Sequence, residues 1–206
     1  MTKNLFSPFL SFLLGLSFSV ASLSAGADAK VDTAAPAFAE KDAAGVEHSL
    51  TGLKGKWVVL EWYNKDCPYV KKHYGKGNMQ ALQKKYVEKG VSWLAVISSA
   101  KGKQGHQTPA EAIADMKLVG SNATAMLLDE DGSMGKLYGA KTTPHMFVIS
   151  PDGQLKYAGA IDSNDSADSA TIAGATNYVA AALDAGMAGK AVTTKASKAY
   201  GCSVKY

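Results

Sequence analysis

Apolar and polar positions divide this chain into alternating strands and helices around one buried run. Residues 57–63, Trp-Val-Val-Leu-Glu-Trp-Tyr, are apolar at six of seven positions and rich in β-branched and aromatic side chains. So short a run, bounded by polar residues, predicts a strand covered on both faces. Asn64, Lys65 and Asp66 end it, Cys67 follows, and Pro68 stands where a helix loses nothing by lacking a first N–H. Gly75-Lys76-Gly77 interrupts the helical pattern, which resumes with Asn78 as a cap and with Met79, Leu82 and Tyr86 on one face, ending near Gly90.

The same reading continues along the chain. Residues 34–38 and 46–50 predict two short strands about a turn at 42–45, and residues 91–98 predict a second buried strand. Residues 99–107 form a polar connection that leads to Thr108-Pro109-Ala110-Glu111, the start of a helix with a capping box, running through Leu118. A strand at 125–129, a short helix at 134–138 and strands at 146–150 and 155–160 follow, the last two joined by the turn Pro151-Asp152-Gly153. An alanine-rich stretch predicts a helix over 170–185, and the polar tail after Gly186 predicts a flexible arm. Strands alternating with helices imply an α/β fold, a mixed sheet sandwiched by helices with an N-terminal hairpin.

Charge changes little. All 22 basic residues are lysine, and they are spread without a block of like charge, so the net charge of +4 gives no support for a nucleic-acid partner. The start of the chain matters more. Lys3 followed by an apolar segment and small residues has the form of a secretory signal peptide, with cleavage after Ala29 or after Ala25. A retained anchor would need about 18–20 uninterrupted apolar residues, and this segment is broken by Ser7-Pro8 and later serines. The expectation is a leader over 1–29, a domain over 30–186 and a C-terminal arm over 187–206. The protein would then be periplasmic or secreted, with no stable membrane insertion.

The strand-to-helix junction favours reactive sulfur. At a helix start, unpaired backbone N–H groups and the positive end of the helix dipole stabilise a thiolate, and Lys65, Lys71 and Lys72 add positive charge while Asp66 opposes it. Glu61, among Trp57, Val59 and Leu60, would have its pKa raised by desolvation, which suits a base working near neutral pH.

The strand, the Cys67-Pro68 step and the later Thr142-Thr143-Pro144 before the strand-like His145-Met146-Phe147-Val148-Ile149 resemble the thioredoxin fold. More narrowly, the chain resembles peroxiredoxin-like redoxins of the alkyl hydroperoxide reductase/thiol-specific antioxidant superfamily, over about residues 36–186. The resemblance implies that Glu61 stands where thioredoxins carry their buried aspartate. It also implies that Thr143-Pro144 is a cis-proline step facing Cys67, with the Thr143 backbone free to pair with a bound polypeptide. Pro144 would shape the cleft, and Pro68, Trp62 and Thr143 would contact substrate. Thioredoxins place their second cysteine where this chain has Val70, so the site has a single local cysteine and needs a distant or external thiol.

Cys202 is the other cysteine in the chain. An arm of roughly 16 residues at about 3.3 Å each reaches about 50 Å, so Cys202 can resolve intermediates at Cys67, pair between molecules or stay free. Peroxiredoxins carry a proline seven residues and a threonine or serine three residues before their reactive cysteine, and an arginine from elsewhere. Here those positions hold Leu60 and Asn64, and the chain has no arginine. Copper carriers of this fold show a second cysteine where Lys71 stands, so His73 and His145 lack the partners for a metal site, and no cofactor is expected. The leading expectation is an extracytoplasmic thiol–disulfide oxidoreductase, acting on protein or small-molecule thiols and disulfides and served by an external thiol reductant. A weak thiol peroxidase or a non-catalytic thiol- or metal-binding redoxin are the alternatives.

Overall fold

The computed structural model describes Met1 and residues 29–206, so nearly all of the expected leader lies outside the described residues. An N-terminal hairpin, β1 (Ala39–Lys41) and β2 (Glu47–Ser49), precedes the central strand β3 (Val58–Trp62). Then come β4 (Ser92–Ile97), β5 (Ala125–Leu128), the two-residue β6 (Thr142–Thr143), β7 (His145–Ile149) and β8 (Leu155–Gly159). The main sheet has the order β5-β4-β3-β7-β8. Strands β3, β4 and β5 are parallel, which requires long crossovers, and these carry α1 (Pro68–Tyr74), α2 (Asn78–Val87) and α3 (Pro109–Leu118). Strand β7 runs antiparallel to β3 and forms a hairpin with β8 through Pro151-Asp152-Gly153, where Gly153 takes φ +83°. The short helix α4 (Ser133–Tyr138) lies between β5 and β6, and α5 (Tyr178–Met187) follows β8.

Alternation along β3 builds two cores, one on each face of the sheet. Val59 and Tyr63 join Trp93, Tyr86, Met146, Tyr157 and Leu183 on the face covered by α1, α2 and α5. Val58, Leu60 and Trp62 join Leu94, Val96, Phe147 and Tyr138 on the other. Every residue of β3 is buried, and each large apolar side chain there contributes about 1.5–3 kcal/mol. Cys67 belongs to the first core.

Four expectations change. The first strand begins at Ala39 because residues 34–35 are spent on the β7–β8 turn, with Ala35 N donating to Gly153 O at 2.9 Å. The helix expected over 170–185 is split into a 3₁₀ turn, Ser169–Gly174, and α5. Between them Thr176 O accepts from Ser163 N, Tyr178 N donates to Ile161 O, and Asn177 caps α5 by accepting from Ala180 N at 2.8 Å. Tertiary pairing and a good cap residue thus outweigh the helix propensity of the alanines. Asn78 is likewise the first helical residue rather than the cap, which is Gly77 at φ +74°.

The fourth change concerns the tail. Instead of standing free, it runs along β8, with Ala158 N donating to Lys195 O and Ser197 N to Ala158 O. The tail then forms β9 (Cys202–Ser203), antiparallel to β6. Farther on, Ala100 N donates to Lys205 O and the Tyr206 hydroxyl to Ala140 O at 2.7 Å. Several backbone polar groups of this tail find partners on the domain, and Val192 is buried against it.

Candidate active site

Cys67 is the N-cap of α1, with Pro68 as the first helical residue, and its carbonyl accepts the first helical bond from Lys71 N at 2.9 Å. The Cys67 side chain is fully buried. Its thiol donates to the Thr143 carbonyl at 3.0 Å, across to the strand that precedes Pro144. The Thr143–Pro144 bond is cis, as the resemblance implied, and Pro144 is buried beside the sulfur's acceptor. Pro68 is exposed at the rim.

The register of β6 and β9 sets Cys202 opposite Thr143 and so brings the second thiol to the first. Cys67 and Cys202 are both free, and Cys202 faces the residue whose carbonyl accepts the Cys67 thiol. Their acidities separate. Burial would push the Cys67 thiol up, but the Cys202 thiol, the Thr143 hydroxyl and the backbone N–H groups of Cys202 and Val70 hold it below the ordinary thiol value. Burial and the neighbouring Cys67 push Cys202 up. Cys67 is therefore the more acidic of the two thiols. The Thr143 hydroxyl is buried without another partner, which leaves it free to turn to a Cys67 thiolate.

Two of the three lysines expected to activate Cys67 are engaged elsewhere, and the third, Lys71, is exposed. Lys65 pairs with Asp66 at 2.9 Å, and Lys72 is buried, donating to Asn164 O at 2.8 Å. Of the expected devices, the helix start contributes, through Val70 N–H.

Glu61 is fully buried on the same face as Val59 and Tyr63. Tyr74 donates to its Oε1 at 2.8 Å, while Trp93 and Gln83 donate to its Oε2 at 2.7 and 3.1 Å. Burial raises the Glu61 pKa despite these three donors. The hydrogen bonds of Glu61 run to these three residues and not to Cys67; the rings of Tyr63 and Tyr74, in the same core as Cys67, meet at 5.3 Å.

Two substrate contacts expected from the sequence do not form as drawn. Trp62 points into the opposite core, fully buried, with Nε1 donating to Ser98 Oγ at 2.9 Å, because it alternates with Glu61 and Tyr63 along β3. The Thr143 backbone is not open to an incoming polypeptide, since Cys202 already pairs with it. His145 lies against Phe147 with ring centroids 4.5 Å apart, and burial followed by Lys141 holds it neutral, at about 4. Among the described residues no group of three or more His, Cys, Asp or Glu side chains could hold a metal ion.

Residues 31–158 match the profile of the AhpC/TSA family. The chain belongs to the AhpC/TSA family. This AhpC/TSA protein is thus a redoxin of the thioredoxin fold, an oxidoreductase of thiol and disulfide groups. Its structure is similar to that of a hypothetical protein from Sinorhizobium meliloti 1021, with TM-score 0.73 and 24% identity over 88% of this chain and 97% of that one. An uncharacterized conserved protein from Geobacillus kaustophilus gives 0.72 and 25%, over 86% and 92%. A protein assigned as the thiol:disulfide interchange protein DsbE of Chlorobium tepidum shares the fold, with TM-score 0.52 and 24% identity over 64% and 85%. No curated protein matches this AhpC/TSA chain. Among the described residues no helix is long and apolar enough to cross a membrane.

Sequence reasoning missed Asp162 beside the site and placed Lys72 there without its burial. Both are buried and polar, and Tyr200 of the tail donates its hydroxyl to Asp162. An aspartate in a loop after a strand carries no signal of burial; only the three-dimensional path of the tail reveals it.

Proposed function

We propose that this protein is a thiol–disulfide oxidoreductase in which Cys67 attacks and Cys202 resolves. The observation that carries the reading is the meeting of the two thiols across the β6–β9 pair, with the Cys67 thiol made more acidic and the Cys202 thiol less so. The Cys67 thiolate attacks one sulfur of a substrate disulfide. A bond forms between Cys67 and that sulfur, the substrate's S–S bond breaks, and the other half leaves as a thiolate that takes up a proton. Cys202 then gives up its proton and attacks the Cys67 sulfur of the mixed disulfide. The Cys67–Cys202 disulfide forms, the second substrate thiol is released, and the substrate has gained two electrons and two protons. An external thiol reductant returns the pair to the dithiol, itself ending as a disulfide. The elevated carboxyl of Glu61 supports the reading of that residue as a proton acceptor during these exchanges.

A single-cysteine cycle would have left Cys202 without a role. The tail geometry favours the two-cysteine cycle. The peroxidase reading has less support: Leu60 is core, and Asn64 turns to Gln104 O and Asp66 N rather than to the sulfur. Placement outside the cytoplasm rests on the leader-like first residues and suits a protein that cycles through a disulfide.

The test mixes reduced protein with a small aromatic disulfide or with hydrogen peroxide and follows intact mass. A fast mixed disulfide that closes to an internal disulfide supports the proposal. A fast sulfenic acid with slow disulfide exchange would assign a peroxidase instead.

A further inference from the structure

The docked tail creates a conflict that the exchange cycle must solve. With Cys202 paired to Thr143, Cys67 is fully buried, so no outside disulfide can reach its sulfur until the tail lifts. Yet resolution needs the tail down. Something must set how firmly it is held.

The hold centres on Tyr200, two residues before Cys202. Its hydroxyl donates to Asp162 Oδ1 and lies 3.3 Å from His73 Nε2, and its ring leans on Tyr69 at 5.8 Å between centroids. Lys72 Nζ stands 5.4 Å from the Tyr200 ring centroid and 3.9 Å from Asp162 Oδ2. His73 Nδ1 is 2.9 Å from Asn78 Nδ2, which can only donate. The hydrogen bonds then run in one direction: Asn78 to His73, His73 Nε2–H to the Tyr200 oxygen, and Tyr200 O–H to Asp162. Asp162 also accepts from Asn164 N at 3.1 Å, so its loop is fixed independently of the tail. Lys72, His73 and Tyr69 all lie on α1, the helix that Cys67 begins. The tail is thus tied to the nucleophile's own helix.

We infer that Tyr200 and Asp162 are positioning residues that latch the C-terminal strand over Cys67. They set in opposite directions the access of an external disulfide and the speed of resolution by Cys202. The inference rests on the proposed pairing of the two cysteines for its second half only. Access to Cys67 is a property of the reduced protein whatever Cys202 does.

The first measurement is the rate of Cys67 alkylation by iodoacetamide in a Cys202→Ser background. Tyr200→Phe keeps the ring against Tyr69 but removes both hydroxyl hydrogen bonds. Alkylation should accelerate on the order of tenfold, the size expected for losing a hydrogen bond to a charged acceptor. Asp162→Ala should do the same, while Asp162→Asn, which keeps an acceptor oxygen for Tyr200, should stay near the background rate. A general loosening of the fold would not be rescued by asparagine. The second measurement, with Cys202 restored, follows closure of a preformed mixed disulfide on Cys67. Tyr200→Phe should slow it on the order of tenfold. Unchanged alkylation in both Tyr200→Phe and Asp162→Ala overturns the latch, as does accelerated alkylation with undiminished closure. If the parent never closes an internal disulfide, the two-cysteine cycle fails and the half of the inference that concerns resolution fails with it, while the alkylation rates still decide the half that concerns access. Closure in the parent with no change in either variant sinks the latch alone.

Discussion

Cys202 stands opposite Thr143, the residue whose carbonyl accepts the Cys67 thiol, so a two-residue strand pair carries the resolving sulfur to the attacking one. Oxidation of the purified protein should therefore give a monomer lighter by its two thiol hydrogens, because bridged α-carbons must lie within about 7 Å and both belong to one chain. Cys202→Ser should accumulate a mixed disulfide at Cys67 that persists until thiol is added. A disulfide-linked dimer on a non-reducing gel, or a serine variant that turns over like the parent, would remove Cys202 from the cycle.

Thr143→Val separates reactivity from stability. The hydroxyl is buried without a partner until Cys67 ionises, and valine keeps the branched shape. Removing an unsatisfied buried group should leave thermal stability unchanged or raise it by about 1 kcal/mol. The Cys67 thiol should become less acidic, seen as a rise in the midpoint of alkylation rate against pH. A midpoint that does not move would show that the hydroxyl never serves the thiolate.

Glu61→Gln should slow exchange at neutral pH on the order of tenfold or more, as expected when a positioned base is lost. The linkage has a definite sign. The folded Glu61 pKa is raised, so between the ordinary carboxylate value, about 4.3, and the raised one the folded chain holds a proton the unfolded chain has lost. Stability from this group is present below that window and is lost as pH rises through it. Denaturant titrations over pH should show the decline in the parent and a shallower one in the glutamine variant. Parallel curves, or equal exchange rates, would count against Glu61.

Gly201 takes φ +136°, and a β-carbon there would run into the Thr143 carbonyl. Gly201→Ala should therefore keep β9 from docking while sparing the sheet. Expected results are faster alkylation of Cys67, little internal disulfide and a melting temperature within a few degrees of the parent, the effect of a change of about 1 kcal/mol. A variant that still closes the disulfide at the parent's rate would show that the pairing with Thr143 is dispensable.

Much of this was legible in the chain. The run at 57–63, the Cys67-Pro68 step and the Thr108–Glu111 box each state a local rule that the structure obeys, and the box forms with Thr108 N donating to Glu111 Oε2 at 2.7 Å. The elevated Glu61 carboxyl followed from a charge placed in an apolar strand. Where local and tertiary preferences compete, the reading was less accurate. Alanine-rich residues 170–185 promised one helix, but pairing with residues 161–163 broke it. Trp62 was expected to contact substrate, yet strand alternation turns it to the other core.

The sequence alone determined the alternation of strands and helices, the placement of a cysteine at a helix start and the absence of a second cysteine at Val70, because these depend on side-chain type and short spacing. The docking of the tail was decided only in three dimensions. Its residues carry a polar pattern that suits a free arm; the exposed edge of β8, the backbone of Thr143 and the buried Asp162 supply the partners that hold it down. Those partners lie far away along the chain, and hydrogen bonds between such distant groups leave no periodic trace in the sequence.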